Sequence, residues 1–312
     1  MSSCLLCGAG ASDLLFHVPD RLYRTTARLF DVRRCAACGL IRLDPMPEAA
    51  ELARYYPENY WFSPDESAAA RLEEMYRKLV LRDHLAFVEG TLRACGGPLL
   101  DVGCGGGLFA GMLRNRGHHA LGLDISPRAA AVAWRLQGVP AACGLLTQAP
   151  LAPASCAVVT MIHVLEHLYD PRPYLAAARD LLRPEGRLVV QVPNAACWQF
   201  RLLGRAWNGL DVPRHLHDFR DRDVERLLDA CGFTVTRRKY FSLRDNPAGF
   251  ASSVAPGLDP MARRVRGQRE STAAKLARDL LYFALVAAAV PFTALEAACR
   301  AGSTVMMEAG KR

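Results

Sequence analysis

Leu99-Leu100-Asp101-Val102-Gly103-Cys104-Gly105-Gly106-Gly107 is the stretch that decides the fold. Three apolar residues and one acid run straight into clustered glycines, so a buried strand ends in a turn whose backbone can approach a ligand closely. An acid closes the next apolar run, Ala120–Asp124, and lies 21 residues beyond Gly103. Nucleotide-binding α/β folds place a carboxylate there to hold ribose hydroxyls. The nicotinamide fingerprint G-x-G-x-x-G fails, because the sixth position from Gly103 is Leu108. A lysine-bearing phosphate loop is also missing.

Strand and helix signals alternate outward from this loop. Strands are expected at Pro98–Val102, Ala120–Leu123, Ala157–Met161, Arg187–Val192 and Phe233–Tyr240, with a short last one at Ser303–Met307. Helices are expected at Phe109–Arg116, Pro127–Gln137, Pro173–Leu182 and Asp221–Cys231. The alternation predicts an α/β, doubly wound, Rossmann-like sheet whose ligand sits at the carboxyl ends of the strands. A helix is expected from Ser63, capped by that serine with Pro64 and Glu66 behind it, to Cys95 before Gly96-Gly97-Pro98. The expected organisation is a metal ribbon over 1–45, a helical linker or cap over 46–95, and a main domain over 96–312 with an insertion at about 243–301.

Cys4-x2-Cys7 and Cys35-x2-Cys38 are separated by 27 residues, each pair beside a glycine, Gly8 or Gly39. Four thiolates on two such knuckles suit a structural zinc and leave no open coordination position for catalysis. The other seven of the eleven cysteines stand alone and read as buried apolar residues. Met1-Ser-Ser-Cys lacks a basic stretch followed by an apolar run, so the expected location is the cytoplasm.

Of 312 residues, 51% are hydrophobic and 22% charged, a globular composition with net charge +8. Residues 1–65 hold seven arginines against eight acids, so the ribbon is near neutral and nucleic acid is an unfavoured partner. Residues 220–278 hold thirteen basic against seven acidic side chains, including Arg263, Arg264, Arg266 and Arg269. That excess suits a solvated loop, an anionic substrate or a membrane surface. Leu280–Leu295 is sixteen uncharged residues interrupted by Pro291, short of the roughly 20 that span a bilayer. It lies between two expected strands of one sheet, which makes it a cap, a homodimer surface or an interfacial contact at the inner face of a membrane.

Asp101-Val-Gly-Cys-Gly-Gly-Gly, Asp124, His163-Val-Leu-Glu-His-Leu-Tyr-Asp-Pro171 and Leu182-Arg-Pro-Glu-Gly-Arg-Leu-Val-Val-Gln-Val-Pro-Asn194 together resemble class I S-adenosylmethionine-dependent methyltransferases. The likeness covers roughly 80–245 and the last strand, which that family pairs antiparallel. It implies that Gly103, Gly105 and Gly107 line the methionine part of S-adenosylmethionine, and that Asp101 bears on its amino group. Asp124 would hold the ribose, with Gly144 and Leu145 beside adenine. The Glu166-His167 pair is similar to that of ubiquinone-pathway O-methyltransferases and of zinc-ribbon sugar C-methyltransferases. Some relatives use it with a divalent ion, for which Glu166, His167 and His215 are the candidates.

Methyl transfer requires an aligned nucleophile and, for a hydroxyl or carbon acid, a proton acceptor. His163, Glu166 and His167 follow the fourth strand, while Asp211, Arg214, His215 and His217 lie in a loop after the fifth. His167 is the expected general base and His215 its partner. The bland alternatives are a packed core role for His163, a cap or an arginine partner for Glu166, and an exposed loop position for His217. The expected substrate is a small biosynthetic intermediate, a sugar or sugar nucleotide or a lipid-linked molecule, methylated on O or C. An RNA methyltransferase gripping nucleic acid through its ribbon, and a non-catalytic protein with a vestigial cofactor fold, are the alternatives.

Overall fold

The computed structural model describes residues 3–56 and 68–312. Ser63, Pro64 and Glu66, the expected helix start, lie outside the described residues.

Seven strands form the main sheet: β4 Leu99–Val102, β5 Ala120–Asp124, β6 Ala141–Cys143, β7 Cys156–Ile162, β8 Leu182–Pro193, β10 Phe233–Lys239 and β11 Thr304–Lys311. Their order is β10-β11-β8-β7-β4-β5-β6. The central strands are parallel, and β11 runs antiparallel between β8 and β10. β4 and β7 are almost wholly buried, which is why they read as unbroken apolar runs rather than alternations. β8 starts earlier than expected: Leu182 pairs with Cys156, the chain bulges, and pairing resumes at Arg187. β6 went unforeseen.

The helices are α1 Ala49–Leu52, α2 Ala68–Val80, α3 Arg82–Cys95, α4 Leu108–Arg114, α5 Pro127–Gln137, α6 Arg172–Leu181, α7 Trp198–Leu203, α8 Asp221–Ala230, α9 Asn246–Val254, α10 Pro260–Val265 and α11 Thr272–Ala298. α5 shows local chemistry at work. The Ser126 side chain accepts from Ala129 N–H at 3.2 Å, Pro127 opens the first turn, and Gly138 ends the helix at φ 62°. The single helix expected up to Cys95 is two, α2 and α3, parted at Leu81, which stays in the right-handed helical region at φ −87° and ψ −4°. Buried Leu85, Val88 and Leu92 of α3 join the cluster holding Leu99, Val158 and Val189, so sheet packing sets the direction of the second segment.

A second sheet orders as β1 Ser12–Val18, β2 Phe30–Cys35, β3 Ile41–Leu43 and β9 His217–Asp218. Where turns were expected over 1–45, three antiparallel strands form, and the fourth comes from the loop carrying the candidate histidines. Cys4, Cys35 and Leu40 join one buried cluster with Phe219, Leu165 and Met161. The cysteine-bearing segment therefore shares its core with the main sheet.

The 243–301 segment contributes α9, α10 and α11 between the paired strands β10 and β11. α11 is long and apolar enough, by length and composition, to cross a membrane, yet it returns to the same sheet. One side of it packs on the body, with Tyr282 Oη 3.0 Å from Ser252 Oγ and Gln199 Nε2 donating to Glu296 at 2.9 Å. The other side exposes Leu276, Leu280, Leu281 and Leu295.

Candidate active site

The carboxyl ends of β4, β5, β6 and β7 meet at one edge of the sheet, and the glycine loop turns there. Gly103 has φ +72°, and a Cβ on it would meet Val164 Cγ2 at 2.6 Å. Gly107 has φ +75°, and a Cβ on it would meet that of Ala133 at 2.6 Å. Both positions thus demand glycine twice over. A Cβ at Gly105 or at Gly144 would instead enter open space, leaving a bare-backbone cradle.

Asp101 and Asp124 are both 4% exposed. Asp124 accepts from Gly105 N–H and Ser126 N–H, each at 2.8 Å, and its own carbonyl accepts from Gly144 N–H at 2.9 Å. Asp101 accepts from Thr160 Oγ1 at 2.6 Å. Burial pushes Asp101 up to about 7, and the Asp124 charge adds to the rise. Burial raises Asp124 as well. A ligand ammonium and hydroxyls would relieve such crowding of negative charge. Next to these acids, Ile125 is 72% and Leu145 37% exposed, two apolar side chains at the ends of β5 and β6. Ile125 escaped the sequence reading; its only signal was an apolar residue directly after Asp124.

Past β7, the backbone of His163 takes φ +56°, a left-handed conformation that a non-glycine residue adopts at a cost. Its ring is drawn between two acids: Nδ1 lies 2.9 Å from Glu166 Oε1, and Nε2 lies 3.4 Å from Asp245 Oδ2. Burial lowers its pKa, but Asp245 and Glu166 outweigh that and raise it to about 9. His163 is therefore an imidazolium near neutrality, a donor rather than an acceptor of protons. Asp245 also accepts from Gln191 Nε2 at 2.7 Å and Ser242 Oγ at 2.6 Å. It comes from the insertion, and sequence reasoning missed it.

His167 and His215 come together. Their ring centroids are 4.7 Å apart, and one ligating atom from each lies within 4.8 Å of Glu166. His167 Nδ1 lies 3.0 Å from the Arg214 carbonyl and 3.0 Å from Tyr56 Oη. His215 Nδ1 lies 2.8 Å from the Gly209 carbonyl. A carbonyl can only accept, so each Nδ1 carries a proton and each Nε2 is the ring nitrogen left outside these hydrogen bonds. Burial and the neighbouring His167 lower His215 to about 4. Burial raises Glu166, but the hydrogen bond and charge of His163 hold it below the ordinary carboxylate range. Glu166 Oε2 is buried with no hydrogen-bond partner, and so are both carboxylate oxygens of Asp218. Burial, with Glu166 and Asp211 nearby, drives Asp218 well above its ordinary value. Two imidazole Nε2 atoms and an unpartnered carboxylate oxygen fit a site for a proton acceptor, and equally for a divalent cation.

Other residues of this loop are committed elsewhere. Arg214 clamps the N-terminal segment, donating to Asp20 at 2.9 and 3.1 Å and to Asp211 at 2.7 Å, and stacking over Tyr23. His217 is 1% exposed rather than an open loop residue, because β9 carries it into the second sheet.

At the other end of that sheet, Cys4 Sγ lies 3.5 Å from Cys38 Sγ and Cys7 Sγ 3.6 Å from Cys35 Sγ, all four within 4.8 Å. A tetrahedral Zn–S distance of ~2.3 Å implies S···S edges of about 3.8 Å, which these separations fit. Burial raises Cys35, but the main-chain amides of Cys38 and Ala37 overcome it and bring the thiol to about 6.

Sheet order, glycine cradle and paired acids define a class I S-adenosylmethionine-dependent methyltransferase. A family model described as "Methyltransferase domain" matches residues 69–238, more than half of the chain, and the chain belongs to that family. Over 182 residues it is 29% identical to a Mycolicibacterium smegmatis protein named "Probable S-adenosylmethionine-dependent methyltransferase", covering 57% of this chain and 61% of that one. The chain thus spans less than two thirds of that relative. Against the ubiquinone biosynthesis O-methyltransferase of Pseudomonas fluorescens, identity is 28% over 185 residues, 55% of this chain and 79% of that one. A solved S-adenosylmethionine-dependent methyltransferase from Archaeoglobus fulgidus is 16% identical at a TM-score of 0.49, covering 78% of this chain and all of that one. Small-molecule O-methyltransferases are thus among the relatives of this enzyme.

Proposed function

We propose that this enzyme transfers the methyl group of S-adenosylmethionine to an oxygen or acidic carbon of a small biosynthetic intermediate, a sugar or sugar nucleotide, with His167 as proton acceptor. The observation that carries the reading is the His167–His215–Glu166 cluster at the carboxyl end of β7, with both Nδ1 atoms held by main-chain carbonyls. Gly103, Gly105 and Gly107 carry the methionine moiety, Asp101 its ammonium, and Asp124 the ribose, with adenine between Ile125 and Leu145. His163, held as imidazolium, orients Glu166 and adds positive charge beside the acceptor. A divalent cation on Glu166, His167 and His215 would act instead by lowering the acceptor hydroxyl's pKa. Zinc on Cys4, Cys7, Cys35 and Cys38 is structural and supports β9, hence the histidine loop.

Residues 1–45 act as a zinc ribbon, 46–95 as linker and cap, and 96–312 as the transferase domain with its insertion. The thiol-rich chain suits the cytoplasm, with all eleven cysteines free. The outward face of α11, with exposed Lys275 and Arg278 towards its start, supports contact with the inner membrane face and so a lipid-linked acceptor.

Calorimetry with S-adenosylmethionine tests the cofactor site, and a protein that releases no heat would be a vestigial fold. Mass spectrometry of metabolites accumulating in a deletion strain identifies the acceptor. Accumulation of undermethylated RNA instead of a small molecule overturns the substrate class.

A further inference from the structure

We infer that the cleft between the 17–22 turn and the 205–212 loop binds a diphosphate group of the acceptor. This rests on the small-molecule reading above and specifies the substrate's charged end.

The cleft measures about 480 Å³ and is lined by His17, Arg21, Arg205 and Ala206 among others. Arg21 donates to the carbonyls of Ala206 at 2.6 Å and Ser253 at 2.7 Å. Burial lowers its pKa, and among the described residues it forms no salt bridge. A guanidinium half-withdrawn from water against neutral carbonyls is left with uncompensated charge. Arg205 is exposed, and its side chain has no hydrogen bond or salt bridge among the described residues. Behind this turn, Arg266 donates to the carbonyls of Arg21 and Leu22, its Nε is buried without a partner, and the Arg24 charge lowers it further, after burial. Two arginines therefore line one mouth, with Arg266 packed against the backbone of the turn that carries Arg21.

The acids that face them are already engaged. Asp20 and Asp211 both bind Arg214, and Asp31 lies 2.8 Å from His17 Nδ1. Asp259 caps α10 through Ala262 N–H. Elsewhere in the basic run, Arg263 pairs with Glu270 and Asp279, and Arg264 with Glu73. Arg266 is the member of that group that packs on the Arg21–Leu22 backbone.

Arginine forks favour planar or tetrahedral oxyanions, and more than one fork favours an anion with more than one charge. The adjoining pocket shares Arg21 and Arg205 and continues past Trp207 and Leu210 to Asp211. Asp211 Oδ2 is 3.9 Å from His215 Nε2. Asp211 thus borders both the arginine-lined pocket and the histidine pair.

Titration calorimetry of the full chain with inorganic pyrophosphate tests this, alongside a separate titration with S-adenosylmethionine. Binding to the wild type should weaken by about tenfold or more in Arg205→Glu, whose side chain supports nothing else, and also in Arg21→Gln. Arg226→Glu, at an exposed position of α8, changes net charge as much as Arg205→Glu and should leave pyrophosphate binding intact. Pyrophosphate affinity insensitive to both cleft variants, or equally reduced by Arg226→Glu, overturns the subsite. Failure of S-adenosylmethionine to bind would instead overturn the enzyme reading. Uridine diphosphate binding more tightly than pyrophosphate marks a nucleotide-linked acceptor, and tighter binding of a prenyl diphosphate marks a lipid-linked one. Either preference must vanish in Arg205→Glu for the inference to stand.

Discussion

His167 and His215 face each other with ring centroids 4.7 Å apart, each holding Nδ1 against a main-chain carbonyl. One follows β7 and the other comes from the loop that adds β9 to the second sheet. The pair exists only because that loop is drawn across the carboxyl end of the main sheet.

Replacing His167 by alanine removes the proposed proton acceptor and leaves the glycine cradle untouched. Turnover should fall by on the order of 10²–10⁴-fold while affinity for S-adenosylmethionine stays within twofold of wild type. Single-turnover kinetics beside calorimetry separates the two, and undiminished turnover removes His167 from the role of base.

Asp124→Asn keeps the shape of the β5 end and loses the charge that would accept from ribose. Affinity for S-adenosylmethionine should weaken by roughly 10–100-fold, the scale of a charge-assisted hydrogen bond. Gly103→Ala should damage binding too, since its Cβ would meet Val164 at 2.6 Å. Wild-type affinity in both variants places the cofactor elsewhere.

His163 makes stability depend on pH in a defined window. Its pKa of about 9 in the fold lies above the 6.5 of a free imidazole, so the protonated ring favours folding. The contribution is complete below pH 6.5, declines between 6.5 and about 9, and is gone above that. The scale is on the order of 3 kcal/mol. Denaturant midpoints across this range should flatten in His163→Gln relative to wild type. In Asp245→Asn, the NMR titration of His163 should move to lower pH; an unmoved titration disproves the Asp245 coupling.

Purified under reducing conditions, the protein should carry about one zinc per chain. Cys4→Ser or Cys35→Ser should lower both zinc content and solubility, because Cys4 and Cys35 share a buried cluster with Leu165 and Phe219. Elemental analysis showing no metal in the wild type refutes the ribbon.

Vesicles of anionic lipid should pellet the wild-type protein at low salt, and Leu280→Glu with Leu281→Glu should abolish it. These side chains are 62% and 58% exposed, so the change costs the fold little. Detergent-free protein that ignores such vesicles removes the membrane contact, and a concentration-dependent dimer would assign the face to a second copy.

Local chemistry alone made much of this molecule legible. The glycine loop, Asp124 at 21 residues' distance, the capped α5 and the apolar runs of β4 and β7 follow from rules acting within a few residues. The two knuckles were equally plain, since ligand spacing is a property of the chain. Tertiary structure decided the rest. Ala141–Cys143 has no β-branched residue and becomes β6 only because β5 offers it an edge. His217-Asp218 is a strand because β3 lies opposite. Asp245 joins His163 from 82 positions away in sequence, and Asp20 meets Arg214 across 194. No periodicity links such residues; burial of their charges in one low-dielectric space does, and that space forms only when the sheets close on each other.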